Sequence, residues 1–145
     1  MSTVVHVLMP AVRAHSGGVV FFERLAEGLR ARGVTVTTDW FDSRYEFAPG
    51  LLSFRTPPKG AQLIHASADS GFAFTGHGLP VVVTQHRYVL DPGYRPHKST
   101  LQDQYHRLFT GRAALRSMRS ASVVTPHSLF VAGTVVNAVS QLHPR

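Results

Sequence analysis

Short apolar runs rich in β-branched residues alternate along the chain with segments of helical periodicity. Thr3 to Met9 is the first such run and predicts a buried strand that ends at Pro10. Between residues 19 and 32, apolar residues recur at i, i+3, i+4 and i+7, which predicts a helix with one buried face. Gly33 predicts the end of this helix, and residues 34–38 predict a second strand. The pattern therefore predicts a βαβ unit with parallel strands.

The same alternation continues through the rest of the chain. Residues 39–60 are aromatic but aperiodic, and they predict a long connection with about one short element. Three more strands and three more helices are expected, the strands at 62–66, 79–84 and 122–125 and the helices at 71–77, 99–119 and 129–142. Five short strands separated by helices predict a single α/β domain with a Rossmann-like, doubly wound parallel sheet.

The predicted helix at 99–119 has an apolar side and a basic side. Its apolar residues fall roughly on one side, and they are Leu101, Tyr105, Leu108, Leu115 and Met118. Its basic residues on one face are Arg112, Arg116 and Arg119, at spacings of four and three. A basic helical face of this kind fits an anionic membrane surface, and an ordinary solvated face is the alternative.

Ligands of a doubly wound sheet bind at the carboxyl ends of its strands, so the residues that follow each strand are the candidates for a site. Gly17 and Gly18 follow the first strand and open the first helix. Two glycines allow a ligand to approach the backbone closely, and the free N–H groups at a helix start suit a phosphate. Their spacing matches neither the dinucleotide fingerprint nor the P-loop, so a tight turn without a ligand is the alternative.

Four further candidates are side chains at the ends of later strands. His65 ends the third strand, and His86 and Arg87 follow the fourth. A histidine at such a position can act as a general base or as a hydrogen-bond donor. Because the chain has nine histidines, a chance placement is the alternative for each of them. Ser128 follows the fifth strand and is expected to cap the last helix.

Composition removes several classes of function. Fifteen lysines and arginines against eight acidic residues give a formal net charge of +7, and there is no cysteine. Disulfides, thiolate catalysis and cysteine–zinc sites are therefore excluded. The sequence has no apolar run of about 20 residues and no secretory signal pattern. It also lacks a nucleic-acid recognition signature and the usual spacing of histidine metal ligands, so neither nucleic acid nor a metal is expected.

Four segments match one family pattern in order and at plausible spacing. They are the glycine turn, helix and strand at 17–36, the strand LIHA at 63–66, GLPVVVTQH at 78–86, and SVVTPHS at 122–128. The third segment is similar to the family's "GxPvVxTxH" motif and is the most specific match. Together the segments resemble the N-terminal, acceptor-side domain of the family 4 glycosyltransferases, which have the GT-B fold.

The resemblance implies a reaction and a role for each candidate residue. Gly17 and Gly18 would face the diphosphate of a nucleotide diphosphate sugar, and His86 would lie beside the transferred sugar as a catalytic or orienting residue. His65, Arg87 and Ser128 would line the substrate cleft. The connection at 39–60 and the loop after His86 would form the acceptor pocket. The activity implied is transfer of a sugar to an acceptor hydroxyl, without a metal.

The resemblance also bears on organisation. Residues 1–145 would form a family 4-like N-terminal domain that is incomplete at its C-terminal end. A C-terminal donor-binding domain would be supplied in cis or in trans, and the isolated chain would be inactive. A departure from the family is Ser67, which stands where a second histidine is common. The expected location is cytoplasmic, with the inner membrane face as a peripheral site. The alternative function is a non-catalytic Rossmann-like binding module or an inactive gene fragment.

Overall fold

The computed structural model describes residues 4–13 and 17–141. The predicted start of the first strand at Thr3, part of the glycine turn (residues 14–16) and the predicted helix end at residue 142 lie outside these ranges. The five strands are β1 (His6–Val12), β2 (Thr35–Phe41), β3 (Leu63–Ser67), β4 (Val81–Gln85) and β5 (Val123–Pro126). The α-helices are α1 (Gly17–Ala31), α2 (Thr100–Tyr105), α3 (Gly111–Ser120) and α4 (Leu129–Gln141).

The strands form one parallel sheet in the order β2-β1-β3-β4-β5. Alternate residues of β1 face opposite sides: Val7 and Met9 pack with Phe22 of α1, whereas Leu8 belongs to the core that contains Phe74 and α3. Helices thus cover both faces, and the predicted Rossmann-like α/β class is confirmed. This strand order places a change of winding direction between β1 and β3, where such folds bind ligands.

The first strand does not end at Pro10, as the sequence predicts, but continues to Val12. Proline is tolerated because of the register. The backbone groups of Val5 and Arg13 form hydrogen bonds with β2, whereas the carbonyl of His6 accepts one from Gln62 on the β3 side. Even-numbered residues of β1 therefore direct their backbone groups toward β3, and the nitrogen of Pro10 does so too. The ladder between β1 and β3 contains only Val7 and Leu8. It ends before Pro10, so the N–H that proline lacks removes no hydrogen bond from it.

The helix α1 ends as predicted. Gly33 has a φ of 82°, which is the left-handed conformation that glycine adopts most easily. Its N–H donates to the carbonyl of Arg30, and the next N–H, of Val34, donates to Leu29. This pair of bonds is the Schellman arrangement, and it turns the chain directly into β2.

The predicted connection at 39–60 is more ordered than the sequence indicates. Strand β2 extends into it as far as Phe41, and two 3₁₀ segments follow, at Ser43–Glu46 and Pro49–Phe54. The predicted short helix at 71–77 is a 3₁₀ segment with the same bounds, Gly71–His77. None of the described helices is long and apolar enough to cross a membrane.

The predicted continuous helix at 99–119 is the largest difference between expectation and structure. A π-helical turn, His106–Thr110, separates α2 from α3. A π-helical turn holds one residue more than an α-helical turn. It therefore rotates the side chains that follow it by about 100° relative to those that precede it. As a result Leu101 and Leu108, predicted to lie roughly on the same side as Met118, are 78% and 51% exposed, whereas Met118 is buried.

Candidate functional site

A cleft of about 590 Å³ lies at the carboxyl ends of the strands, beside the start of α1. Its volume is in the range of small-molecule sites. One wall comes from β1, α1 and the residue after β5, and it includes Gly17, Gly18, Phe21 and His127. The opposite wall comes from the residues after β3 and β4, the first 3₁₀ segment and the π-helical turn. The predicted site residues Gly17, Gly18, His86 and Arg87 all line this one cleft.

Gly17 and Gly18 form the first turn of α1, and no acidic residue occupies that turn. The start of a helix carries unpaired N–H groups and a partial positive charge. A Cβ atom built on Gly17 meets no atom within 4 Å. Among the described residues, the space beside Gly17 is therefore open, and an alanine at position 17 would fit there without a clash.

His86 is half-buried among rings in the floor of the cleft. Its ring centroid lies 4.7 Å from Phe21, 6.1 Å from Phe22 and 5.3 Å from His127. Burial lowers the pKa of His86, and repulsion from His127 lowers it further. His86 Nε2 is buried and has no hydrogen-bond partner among the described residues. A neutral imidazole is the form that can accept a proton or a hydrogen bond.

His65 lies behind His86 and is not one of the residues that line the cleft. Its Nε2 is 2.8 Å from Thr84 Oγ1, which is in turn 2.8 Å from Thr125 Oγ1. Thr125 donates to the carbonyl of Val83, so Thr84 donates to Thr125 and accepts from His65. The chain of hydrogen bonds therefore assigns the proton of neutral His65 to Nε2. Burial, with the nearby His86, lowers the pKa of His65 to about 4.

Ser128 also does not line the cleft. Its hydroxyl accepts a hydrogen bond from the N–H of Val131 at 3.2 Å, so the predicted helix cap is present. Both Ser128 and His65 form hydrogen bonds within the protein, and neither lines the cleft. Their contacts with a substrate stay predictions. The preceding residue, His127, lines the cleft instead.

The loop that follows β4 is held in place by a buried lysine. The Lys98 side chain is 1% exposed, and its Nζ contacts Asp103 at 3.1 Å and the carbonyl of Val89 at 2.5 Å. The hydrogen bond from Lys98 lowers the pKa of Asp103. On the same loop, Arg87 lies over the ring of Tyr94, at 5.4 Å. The loop is therefore fixed to α2, and Arg87 is fixed at the cleft.

Two buried polar side chains in the cleft wall have unused hydrogen-bonding atoms. Gln85 is 2% exposed, and its amide nitrogen donates to the carbonyl of Arg87, which leaves Oε1 without a partner among the described residues. His106 is 6% exposed, and its Nδ1 is likewise without a partner there. Burial lowers the pKa of His106, as do Lys98 and Arg87. Buried polar atoms of this kind are normally satisfied by a ligand or by water.

Charged side chains of both signs lie at the cleft. Asp69, Glu46 and Arg87 are among its lining residues. Asp69 is exposed along the cleft, and desolvation by the neighbouring protein raises its pKa. Arg87 opposes the rise and Glu46 adds to it. The described part of the chain contains no cluster of three or more histidines, aspartates or glutamates that could hold a metal ion.

Several lining residues were not foreseen from the sequence. His127 follows a strand, as His86 does, and that signal could have identified it. Phe21 lies on the predicted helix beside the glycines. His106 could not have been found, because its position depends on the π-helical turn. The sequence therefore indicates the glycine turn, His86, Arg87 and the connection at 39–60, which all contribute to the cleft, and it misses the part of the wall that comes from the π-helical turn.

Arg112, Arg116 and Arg119 lie elsewhere on the surface. As predicted, they share one face, where they line an open groove with Leu115 and Ser120. The guanidinium of Arg116 is 4.7 Å from the centre of the Phe72 ring. Within the described residues, no carboxylate forms an ion pair with any of the three arginines.

Comparison with family models and curated sequences identifies no family for this chain. No model of a protein family matches the chain. No curated protein sequence matches it either. The resemblance to the family 4 glycosyltransferases therefore depends on the four short segments alone, and the function has to be argued from the cleft.

Proposed function

We propose that this chain is the acceptor-side domain of a glycosyltransferase of the GT-B type. Completed by a donor-binding domain, it would transfer a sugar from a nucleotide diphosphate sugar to an acceptor hydroxyl. The observation that carries the proposal is that one cleft brings together Gly17 and Gly18 at the start of α1 and His86 after β4. These residues belong to two of the four segments that resemble the family.

Each part of the cleft would serve a step of the transfer. The reaction breaks the bond between the anomeric carbon and the donor phosphate, and negative charge develops on the departing diphosphate. The N–H groups of Gly17 and Gly18 and the partial positive charge of α1 would stabilise that charge. Neutral His86 would hydrogen-bond the sugar and orient it. The acceptor oxygen would form the new bond to the anomeric carbon, and its proton would pass to the departing diphosphate.

The isolated chain is expected to bind a nucleotide sugar only weakly. One helix start contributes up to about 2 kcal/mol to anion binding, whereas millimolar affinity already requires about 4 kcal/mol. NMR titration measures such binding residue by residue. With UDP or UDP-glucose at tens of millimolar, we expect the amide signals of Gly17 and Gly18 to shift. We expect the His86 ring signals to shift with UDP-glucose only, because only that ligand carries the sugar.

Two glycine variants provide the matched test. Gly17→Ala adds a methyl group at the start of α1 that meets no described atom within 4 Å, and it should remove the shift at Gly18. Gly133→Ala, in α4, also meets no atom within 4 Å and should leave the shifts unchanged. A titration in which neither ligand shifts Gly17 or Gly18, or in which Gly17→Ala makes no difference, would overturn the proposal.

The second candidate function is a non-catalytic binding module with the same cleft. It is favoured by the packing of His86, whose Nε2 is buried between rings rather than open to a ligand. In that case the sugar would not reach His86. UDP and UDP-glucose would then give the same shifts at Gly17 and Gly18, with no response from the His86 ring, so the same titration separates the two functions.

A further inference from the structure

An exposed row of aromatic rings leads out of the cleft on the side opposite α1. Phe47, after the first 3₁₀ segment, is 72% exposed, and its ring lies 6.3 Å from that of Tyr105. Tyr105 in turn stacks with Phe109, at 5.5 Å and with an interplanar angle of 29°. Phe109 is 58% exposed. We name these three residues the aromatic lip.

The aromatic lip is continuous with the cleft. Phe47 and Tyr105 line the cavity that contains His86, and Phe109 extends the row onto the surface. Three adjoining rings are an unusual surface to leave in water, because exposed aromatic residues are normally scattered. Their continuity with a cavity of small-molecule size indicates that the same ligand covers both.

The π-helical turn produces this arrangement. It begins directly after Tyr105 and directs Tyr105, His106 and Thr110 toward the cleft. In an uninterrupted α-helix, the side chains beyond the turn would be rotated by about 100° relative to Tyr105. Tyr105 and Thr110 would then not face the cleft together. Turns of this kind are rare and are frequent at functional sites.

Polar atoms deeper in the wall limit the chemistry of the ligand. Gln85 Oε1 can only accept a hydrogen bond, and His106 Nδ1 is an unpaired nitrogen on a ring that its surroundings keep neutral. A ligand that suits this wall has a flat apolar body for the rings and a hydroxyl at the inner end.

We propose that the outer half of the cleft binds a planar aromatic alcohol, with its ring against Phe47 and Tyr105 and its hydroxyl directed inward. This inference rests on the proposed function for one point, namely that the bound alcohol is the acceptor of the sugar. The binding itself requires neither a donor domain nor a nucleotide sugar.

The test is direct binding of 4-methylumbelliferone, a planar aromatic alcohol, to the whole chain by fluorescence and calorimetry. The matched variants are Phe47→Ser and Phe130→Ser, since Phe130 on α4 is 73% exposed and lies outside the cleft. An aromatic contact contributes about 0.5–1.5 kcal/mol beyond its area, so Phe47→Ser should weaken binding about two- to twelvefold. Phe130→Ser should leave the affinity unchanged.

Other results would overturn the inference. Equal weakening by both variants would show non-specific adsorption to exposed rings. Saturable binding of maltose in place of 4-methylumbelliferone would show a carbohydrate site. A wild-type dimer that Phe47→Ser converts to a monomer, without binding of the probe, would show that the aromatic lip is a contact between copies of the chain.

The outcomes also separate this inference from the proposed function. Binding of the probe that depends on Phe47, together with no response of Gly17 and Gly18 to UDP-glucose, would overturn the proposed function alone. A response of Gly17 and Gly18 without any binding of the probe would overturn the aromatic acceptor alone.

Discussion

His65 shows how a single residue acquires a role that its sequence position only partly predicts. Its place at the end of a strand made it a candidate for substrate contact. The structure instead joins it to Thr84 on β4 and Thr125 on β5 through two hydrogen bonds of 2.8 Å. Those partners are 19 and 60 positions away and are set by strand register. Sequence periodicity does not report register between distant strands, so this network could not be predicted.

The lowered pKa of His65 makes stability depend on pH. The unfolded chain takes up a proton near the ordinary pKa of 6.5, whereas folded His65 does so only near 4. The free energy of unfolding therefore falls as the pH is lowered through this window, by up to about 3 kcal/mol from this residue. His65→Asn should flatten the fall in a series of urea titrations from pH 7 to pH 4. His97→Asn, at the exposed end of the 3₁₀ segment Pro92–His97, should reproduce the wild-type slope, and an equal flattening by both variants would contradict the expectation.

At the scale of elements, the sequence predicts the strands and α1 closely and the segment 99–120 poorly. The βαβ unit is foreseen because its signals are local, namely periodicity, the terminal glycine and a β-branched run. The π-helical turn is not foreseen, because Tyr105, His106 and Leu108 fit a regular helix equally well. Gly111 is the only residue in this segment whose type could indicate the turn. Its N–H donates to the carbonyl of His106, five residues earlier, which is the bond that defines the turn.

Gly111 should be essential to this turn. A Cβ atom there would lie 2.7 Å from the carbonyl oxygen of His106 and 2.6 Å from Leu90 Cδ1. Contacts that short force the backbone to move, and overpacking of this kind costs about 1–3 kcal/mol. Gly111→Ala should lower the melting temperature by several degrees and change the NMR signals of His106. Gly133→Ala should raise stability slightly, since alanine favours a helix by up to about 1 kcal/mol over glycine. A Gly111→Ala protein with wild-type stability would show that the turn does not depend on glycine.

At the scale of the whole molecule, the excess of positive charge is not evenly arranged. The groove of Arg112, Arg116 and Arg119 gathers three cations without a paired carboxylate in the described structure. Both the helical spacing and the shared face were predictable, since α3 itself lies beyond the π-helical turn and is regular. The strand order was not, since the sequence orders the strands along the chain and not across the sheet.

We expect the groove to bind an anionic membrane surface. Each arginine near such a surface contributes about 1 kcal/mol, so replacing all three with glutamine should weaken binding to phosphatidylserine vesicles about a hundredfold. The control is the triple glutamine variant at Arg24, Arg32 and Arg95, which removes the same charge from other exposed positions. Co-sedimentation at low and high salt measures both. Equal losses in the two triple variants would show that net charge, and not the groove, is responsible.

The short pairing between β1 and β3 has a consequence for how this site can change. β1 pairs with β2 at seven positions but with β3 only at Val7 and Leu8, and the cleft lies beyond that short pairing, where Ala11, Val12 and Ser67 line it. The position of the cavity is thus set by where the strands end, whereas the side chains along its walls set what it holds. Substitutions along those walls would alter what it holds without closing it. A scaffold of this kind is free to exchange one ligand for another while its opening persists.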